Sequence, residues 1–215
     1  MEKSMDYFDK IATEWDNMRS EFFSEQVRNV AYELAEVEEG FTAADIGAGT
    51  GFVSEGLLER GLKVIAVDQS EKMLIFLRNK FSSYTNLQCV QGDGEHLPLE
   101  DNQVDYVFAN MFLHHVESPI LAIKEMVRIL KSGGKLVITD LDEHNFEFLR
   151  TEQFDVWLGF DRDQIKQWFE EVGLSKVTID SVGSNCCADS SCGCQAATVS
   201  IFAAYGEKLN SYKKS

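Results

Sequence analysis

The chain predicts an α/β fold: one doubly wound, mostly parallel sheet with helices on both faces and an antiparallel C-terminal edge strand. Two observations predict it. Continuously apolar runs alternate five times with helical patterns, and continuous rather than alternating apolarity marks parallel strands covered on both faces. The first run, Thr42-Ala-Ala-Asp-Ile46, also leads into a turn through Gly47, Gly49 and Gly51 and then a helix reaching Leu58. Strand, glycine turn and helix N-terminus together form a nucleotide-binding loop, because side-chain-free backbone approaches a ligand and the helix end offers free N–H groups.

At 215 residues the chain suits a single domain with a full core. The net charge of -16 repels phosphate backbones, and no Lys/Arg stripe with interleaved aromatics offsets it, so nucleic acid is not an expected partner. Polyanionic small molecules are disfavoured as well; neutral, cationic or metal-centred substrates stay open. No run approaches the ~20 apolar residues of a membrane span and no signal-peptide pattern is present, so no membrane association and a cytoplasmic location are expected.

In order, residues 7–18 place Phe8, Ile11 and Trp15 at helical spacing. Val27, Val30, Ala31, Leu34 and Val37 mark a second helix stopped at Gly40. Residues 1–40 are thus a helical pair, either packed on the core or lying over the ligand as a lid. Residues 41–140 form the binding core. Asp45 stands just before the glycine turn, where it suits a cofactor bearing a cation. Phe52 occupies the sixth position of the turn, where a dinucleotide fingerprint has Gly or Ala, and the lysine of a P-loop is missing. Leu62–Asp68 is the second strand; Asp68 at its end can accept from both hydroxyls of a ribose, with Ser70 the better cap for the helix that follows. That helix carries Met73 near its start. Leu87–Gln91 is the third strand, with Cys89 as a core thiol, and it ends in Gly92-Asp93-Gly94, where Asp93 can reach an adenine amino group.

Asp105–Ala109 is the fourth strand, leaving through Asn110, Met111, His114 and His115. Ile120, Ile123, Met126, Val127 and Leu130 mark a helix ended by Lys131-Ser-Gly-Gly134, and Lys135–Asp140 is the fifth strand. Residues 141–160 are an aromatic-rich insertion. Residues 161–206 hold a last helix, begun at Asp161 and stopped at Gly173, and an edge hairpin of Ser175–Val182 and Ala197–Ala204 around a Cys-rich loop at 185–194. Gly47, Asp68, Asp93 and Asn110 all fall at carboxyl ends of strands, where open α/β sheets bind ligands.

Asp45-Ile-Gly-Ala-Gly-Thr-Gly51 closely resembles motif I of the class I S-adenosylmethionine (SAM)-dependent methyltransferases. Gly92-Asp-Gly-Glu-His-Leu-Pro98 matches the family's adenine motif, and Leu130-Lys-Ser-Gly-Gly-Lys-Leu136 resembles its "LKPGG", with Ser132 in place of proline. The opening Tyr7-Phe-Asp-Lys-Ile-Ala-Thr-Glu-Trp-Asp16 is similar to the segment that closes the site in many small-molecule members. On these motifs the chain is identified as a member of the type 11, ubiquinone/menaquinone-biosynthesis-like group, with a Rossmann-like sheet. The resemblance implies SAM as cofactor and S-adenosylhomocysteine as product. It places Asp45, Gly47, Ala48 and Gly49 on the methionine moiety, Asp68 on the ribose and Asp93 on the adenine. His96, Asn110 and Met111 border the methyl donor, and Tyr7, Trp15, Gln69, Met73, Gly92 and Gly94 complete the cofactor contacts.

The expected reaction is in-line SN2 transfer to a small-molecule acceptor, which needs positioning and a dry pocket. A base matters only if the nucleophile loses a proton; His114 and His115 are the candidates, with His144 behind them, unless they serve packing and backbone hydrogen bonding. Phe146, Phe148, Phe154 and Trp157 either wall the acceptor site or cap the core. Four of the five cysteines lie together as Cys186, Cys187, Cys192 and Cys194. A reducing compartment argues against disulfides, the spacing is not that of a zinc knuckle, and four thiolates suit a soft metal or metalloid. Three acceptor readings stay open. The cysteines shape the hairpin as a zinc or redox element beside an organic acceptor; or they capture a thiophilic species such as trivalent arsenic, although Asn110-Met-Phe lacks the thiol that arsenite methyltransferases carry there; or the loop docks a protein partner, metal- or corrinoid-bearing. A non-enzymatic SAM-binding regulator is the remaining alternative.

Overall fold

The structure, a computed structural model, describes residues 19, 22–190 and 192–209; Tyr7, Trp15 and the helical pattern over 7–18 lie outside these. The elements in chain order are α1 (Gln26–Ala35), β1 (Thr42–Ile46), α2 (Phe52–Glu59), β2 (Lys63–Asp68), α3 (Glu71–Lys80), β3 (Leu87–Gln91) and β4 (Val104–Asn110). A 3-10 turn (Leu113–His115) follows, then α4 (Pro119–Ile129), β5 (Leu130–Leu141), α5 (Glu147–Glu152), α6 (Arg162–Glu171), β6 (Leu174–Asp189) and β7 (Ala196–Lys208).

The seven strands form one sheet in the order β3-β2-β1-β4-β5-β7-β6. The first five in that order are parallel, and β7 and β6 pair antiparallel. Strand alternation divides the core between two faces. Tyr106, Phe108 and Val137 join Tyr32 and Leu57 on one face, while Val107, Leu136 and Ile138 join Ile123, Met126 and Phe169 on the other. Both faces are therefore covered, as the continuous apolar runs require.

Ser70 and Asp161 cap their helices, accepting from the Met73 and Gln164 N–H groups at 3.1 and 3.0 Å. α1 ends earlier than expected: Glu36 turns into the left-handed region (φ 47°), and Gly40 instead serves a turn in which its N–H meets the Gly61 carbonyl. Lys131–Gly134, expected to end the helix, already belongs to β5, which regains its register on β4 through an irregularity between Val104 and Tyr106. The largest difference lies in the hairpin. β6 and β7 run well past the expected ends, so Asn185–Asp189 is strand, with Cys186 opposite Val199 and Cys187 opposite Thr198. Among the described residues no helix is long and apolar enough to cross a membrane.

Candidate functional site

Two adjoining cavities lie at the carboxyl ends of the parallel strands. The larger is a cleft enclosing about 1080 Å³, counted out to open solvent, and loops after β1 to β4 wall it. The glycine loop folds back on β2, with the Gly47 and Ala48 N–H groups both donating to the Val67 carbonyl at 2.9 and 3.0 Å. Gly47 has φ 69°, and a Cβ there would sit 2.3 Å from Phe112; a Cβ on Gly94 would sit 2.4 Å from the far end of the same ring. These two glycines make room for Phe112, a lining residue that sequence reasoning missed because its claim on both loops is purely tertiary. Phe52, at the position that is usually glycine or alanine, is buried edge-on against Phe23 at 5.3 Å, with the Arg19 guanidinium 4.2 Å from its ring centre.

Asp45 is buried and lines the cleft. Its Oδ2 accepts from the Ser54 N–H and hydroxyl at 2.9 and 2.6 Å. Burial nonetheless pushes the carboxyl up to about 7, the Ser54 hydrogen bonds opposing it. Asp68 is not left idle by the Ser70 cap: Oδ2 accepts from the Gly49 N–H at 2.8 Å and Oδ1 from the Ser70 N–H at 2.9 Å. It thereby ties the glycine loop to the head of α3 while still lining the cleft.

Gly47, Ala48, Gly49, Gln69, Met73, Gly92, Gly94, Asn110 and Met111 all line the cleft as expected. Asp93 does not. Its Oδ1 accepts from Gln69 Nε2 (3.2 Å) and the Glu95 N–H (2.9 Å), so an Asx-type turn draws it away while its glycine neighbours face in. Glu95, which carried no sequence signal, lines the cleft and accepts from the Ser118 N–H at 2.8 Å. His96 is also outside the lining; its side chain is 77% exposed. Asn110 Oδ1 accepts from the Thr139 hydroxyl at 2.8 Å, and Met111, at φ 49°, is held by its N–H on the Thr139 carbonyl.

The second cavity, about 500 Å³, shares Phe23, Met111 and His115 with the first. His114, Leu149, Gln153, Asp155 and Cys186 close it. The expected aromatics Phe146, Phe148, Phe154 and Trp157 do not line it. Phe148 is in the core, and Trp157 stacks on Phe160 and donates Nε1–H to the Val116 carbonyl at 3.0 Å. The insertion is pinned instead by its backbone, the Val156 and Trp157 N–H groups both donating to the His114 carbonyl.

His114 Nδ1 lies 2.6 Å from Asp140 Oδ1, and Asp140 accepts in addition from the Leu113, His114 and Leu141 N–H groups. His114 Nε2 and His115 Nδ1 each lie 3.8 Å from Asp155 Oδ1. Burial alone would lower the His114 pKa, but the facing Asp140 and Asp155 carboxylates outweigh it and raise it to about 9. Burial and the His114 charge hold His115 well below its ordinary value. Burial lifts Asp155 to about 6, with His114 opposing, and lifts the Cys186 thiol to about 12. His144 stays outside both linings, its Nδ1 accepting from the Phe146 N–H at 3.3 Å.

The expected four-cysteine metal set does not form. Cys192 and Cys194 are joined as a disulfide. Cys186 and Cys187, consecutive in β6, point to opposite faces, Cys186 into the second cavity and Cys187 to solvent.

Residues 44–138 match a family model described as a methyltransferase domain. Demethylmenaquinone methyltransferase of Staphylococcus carnosus is 29% identical over 213 residues, spanning 84% of this chain and 88% of the relative. Malonyl-[acyl-carrier protein] O-methyltransferase of Methylococcus capsulatus is 33% identical over 150 residues, 64% of this chain and 53% of the relative. Among solved structures, a chain from the complex between a Haloferax volcanii methyltransferase activator and a methyltransferase superposes with a TM-score of 0.76 at 20% identity, covering 94% of this chain and 98% of that one.

Proposed function

This chain belongs to the class I SAM-dependent methyltransferases, type 11 group, and from that premise we propose which cavity holds which reactant. SAM occupies the larger cleft. Asp45 and the Gly47-Ala48-Gly49 turn take its methionine end, Asp68 and Gln69 the ribose, and Met73, Gly92 and Gly94 the adenine. Asp93 acts one step back, by holding Gln69. Asn110 and Met111 border the sulfonium, and Arg19 and Phe23 stand against the cleft from the N-terminal side of the chain.

The acceptor occupies the smaller chamber. The observation that carries this is the shared lining: Met111 and His115 face both cavities, so a methyl group leaving one enters the other. The sulfonium is already an activated leaving group, so His114 and His115 act at the acceptor's ionisable group and not at the donor. Phe22, Phe23, Leu141 and Leu149 make the chamber walls apolar, and Asp155 adds an acid, which favours an uncharged ring over a carboxylate. Of the two acceptor types named for the relatives, demethylmenaquinone therefore fits better than malonyl-[acyl-carrier protein]. It reacts as its hydroquinone, since an electron-poor quinone ring offers a sulfonium no nucleophile. The organic-acceptor reading stands ahead of trivalent arsenic, because only Cys186 of the cluster reaches the chamber.

Release of S-adenosylhomocysteine from SAM, followed anaerobically with reduced demethylmenaquinone and with malonyl-[acyl-carrier protein], tests this assignment. Turnover is expected with the hydroquinone and should be lost in Leu149→Trp, which fills the chamber, while SAM affinity is kept. Turnover with the malonyl thioester alone, or full activity in Leu149→Trp, would overturn it.

A further inference from the structure

We propose that His114, His115 and Asp155 form a binding site for a divalent transition-metal ion of the zinc type inside the acceptor chamber. One donor atom from each of the three residues lies within 4.8 Å of the others. Two of the separations are 3.8 Å, against about 3.4 Å between ligands of a tetrahedral centre with bonds of about 2.0–2.1 Å. Small side-chain rotations close that gap.

The surroundings support the same conclusion independently. Protein metal sites commonly hold a ligating histidine by its other ring nitrogen on a carboxylate, which sets the tautomer and the ring's direction. Asp140 does this for His114: its side chain is fully buried and takes Nδ1 at 2.6 Å. Three backbone N–H groups fix that carboxylate in turn, at 2.7, 2.8 and 3.4 Å. The other nitrogen, Nε2, is thereby aimed at Asp155, and the incoming ion displaces its proton to solvent. Two imidazoles and one carboxylate leave a fourth position for an acceptor oxygen; this donor set suits zinc or cobalt and not magnesium or calcium. The ion's binding stands on these residues alone, and its use on the acceptor rests on the chamber assignment above.

The test uses the tag-free full chain carrying Cys192→Ser and Cys194→Ser, so that the hairpin thiols bind nothing. Anaerobic titration with Co²⁺ is followed by visible absorption, Zn²⁺ content is measured after equilibrium dialysis, and SAM affinity is measured on every variant as a folding control. One ion per chain is expected, with the absorption of a low-coordinate cobalt site. Asp155→Asn and His115→Gln should each weaken binding by at least about 100-fold. Asp140→Asn, acting through His114, should weaken it about 10–100-fold. Cys187→Ser, on the opposite face, should leave it unchanged. Absence of bound metal, or binding indifferent to Asp155→Asn and His115→Gln, overturns the site. Methyl transfer that proceeds in metal-free protein overturns the ion's use while leaving the methyltransferase reading intact. A metal-loaded chain still active with Leu149→Trp sinks the chamber assignment and leaves the ion in place.

Discussion

The larger cleft, proposed for the cofactor, and the smaller chamber, proposed for the acceptor, are neighbours built on different principles. The cleft is made at consecutive strand ends, and its polar groups are held by nearby backbone: Asp45 by Ser54, Asp68 by Gly49 and Ser70. The chamber gathers the turn after β4, the insertion before α6 and the far end of β6, and its polar groups hold one another. His114 sits between Asp140 and Asp155, whose carboxylates raise its pKa, while His114 in turn opposes the rise that burial gives Asp155. Under the proposed assignment, the cofactor is met by local backbone geometry. A site for a particular acceptor draws on side chains from distant segments, each of which can change alone.

If the chamber is a mutually supporting charge cluster, its keystone is Asp140. Asp140→Ala leaves four donors without their acceptor and a buried imidazolium without its counter-ion, and should cost about 3–5 kcal/mol in denaturant unfolding. A loss below about 1 kcal/mol would mean that the chamber is as locally held as the cleft.

The cleft breaks at its glycines. Gly47→Ala places a Cβ against Phe112 at a positive φ, and overpacking with left-handed strain should cost about 2–4 kcal/mol. Gly173→Ala, at φ 86° but in open space, should cost about 1–2 kcal/mol by the same measurement. Equal losses would show that strain alone, and not the Phe112 wedge, makes Gly47 necessary.

The smallest effect sharpens the comparison on the cleft side. Asp45, raised to about 7 by burial, carries its proton in the unliganded folded chain below that value and loses it when unfolded down to about 3.9. The folded state therefore binds more protons across that window, and this group's contribution to stability falls as pH rises towards 7. SAM's cationic amino group favours the ionised carboxylate, so SAM affinity should increase by up to tenfold from about pH 6 to 7.5. Asp45→Asn should flatten both profiles, and an unchanged SAM profile in that variant would remove Asp45 from the methionine site.

Much of the fold was legible. Continuous apolar runs named the five parallel strands, and Ser70 and Asp161 marked two helix starts. Of the described residues expected at the cofactor, all but Asp93 and His96 line the cleft, and the directions of those two depend on a single turn. The hairpin was misjudged because Ser, Asp and cysteine read as loop residues, while pairing with β7 extends β6 through Asp189.

The sequence by itself determined the parallel sheet, the cofactor and the loops that wall the larger cleft, because contiguous residues and backbone geometry carry those features. Only the tertiary structure decided which cysteines meet and which carboxylates face His114. Strand register sends Cys186 and Cys187 to opposite faces, and the packing of the insertion brings Asp155 within 3.8 Å of both histidines. Register and packing are set by contacts between distant segments, which no local pattern of residues encodes.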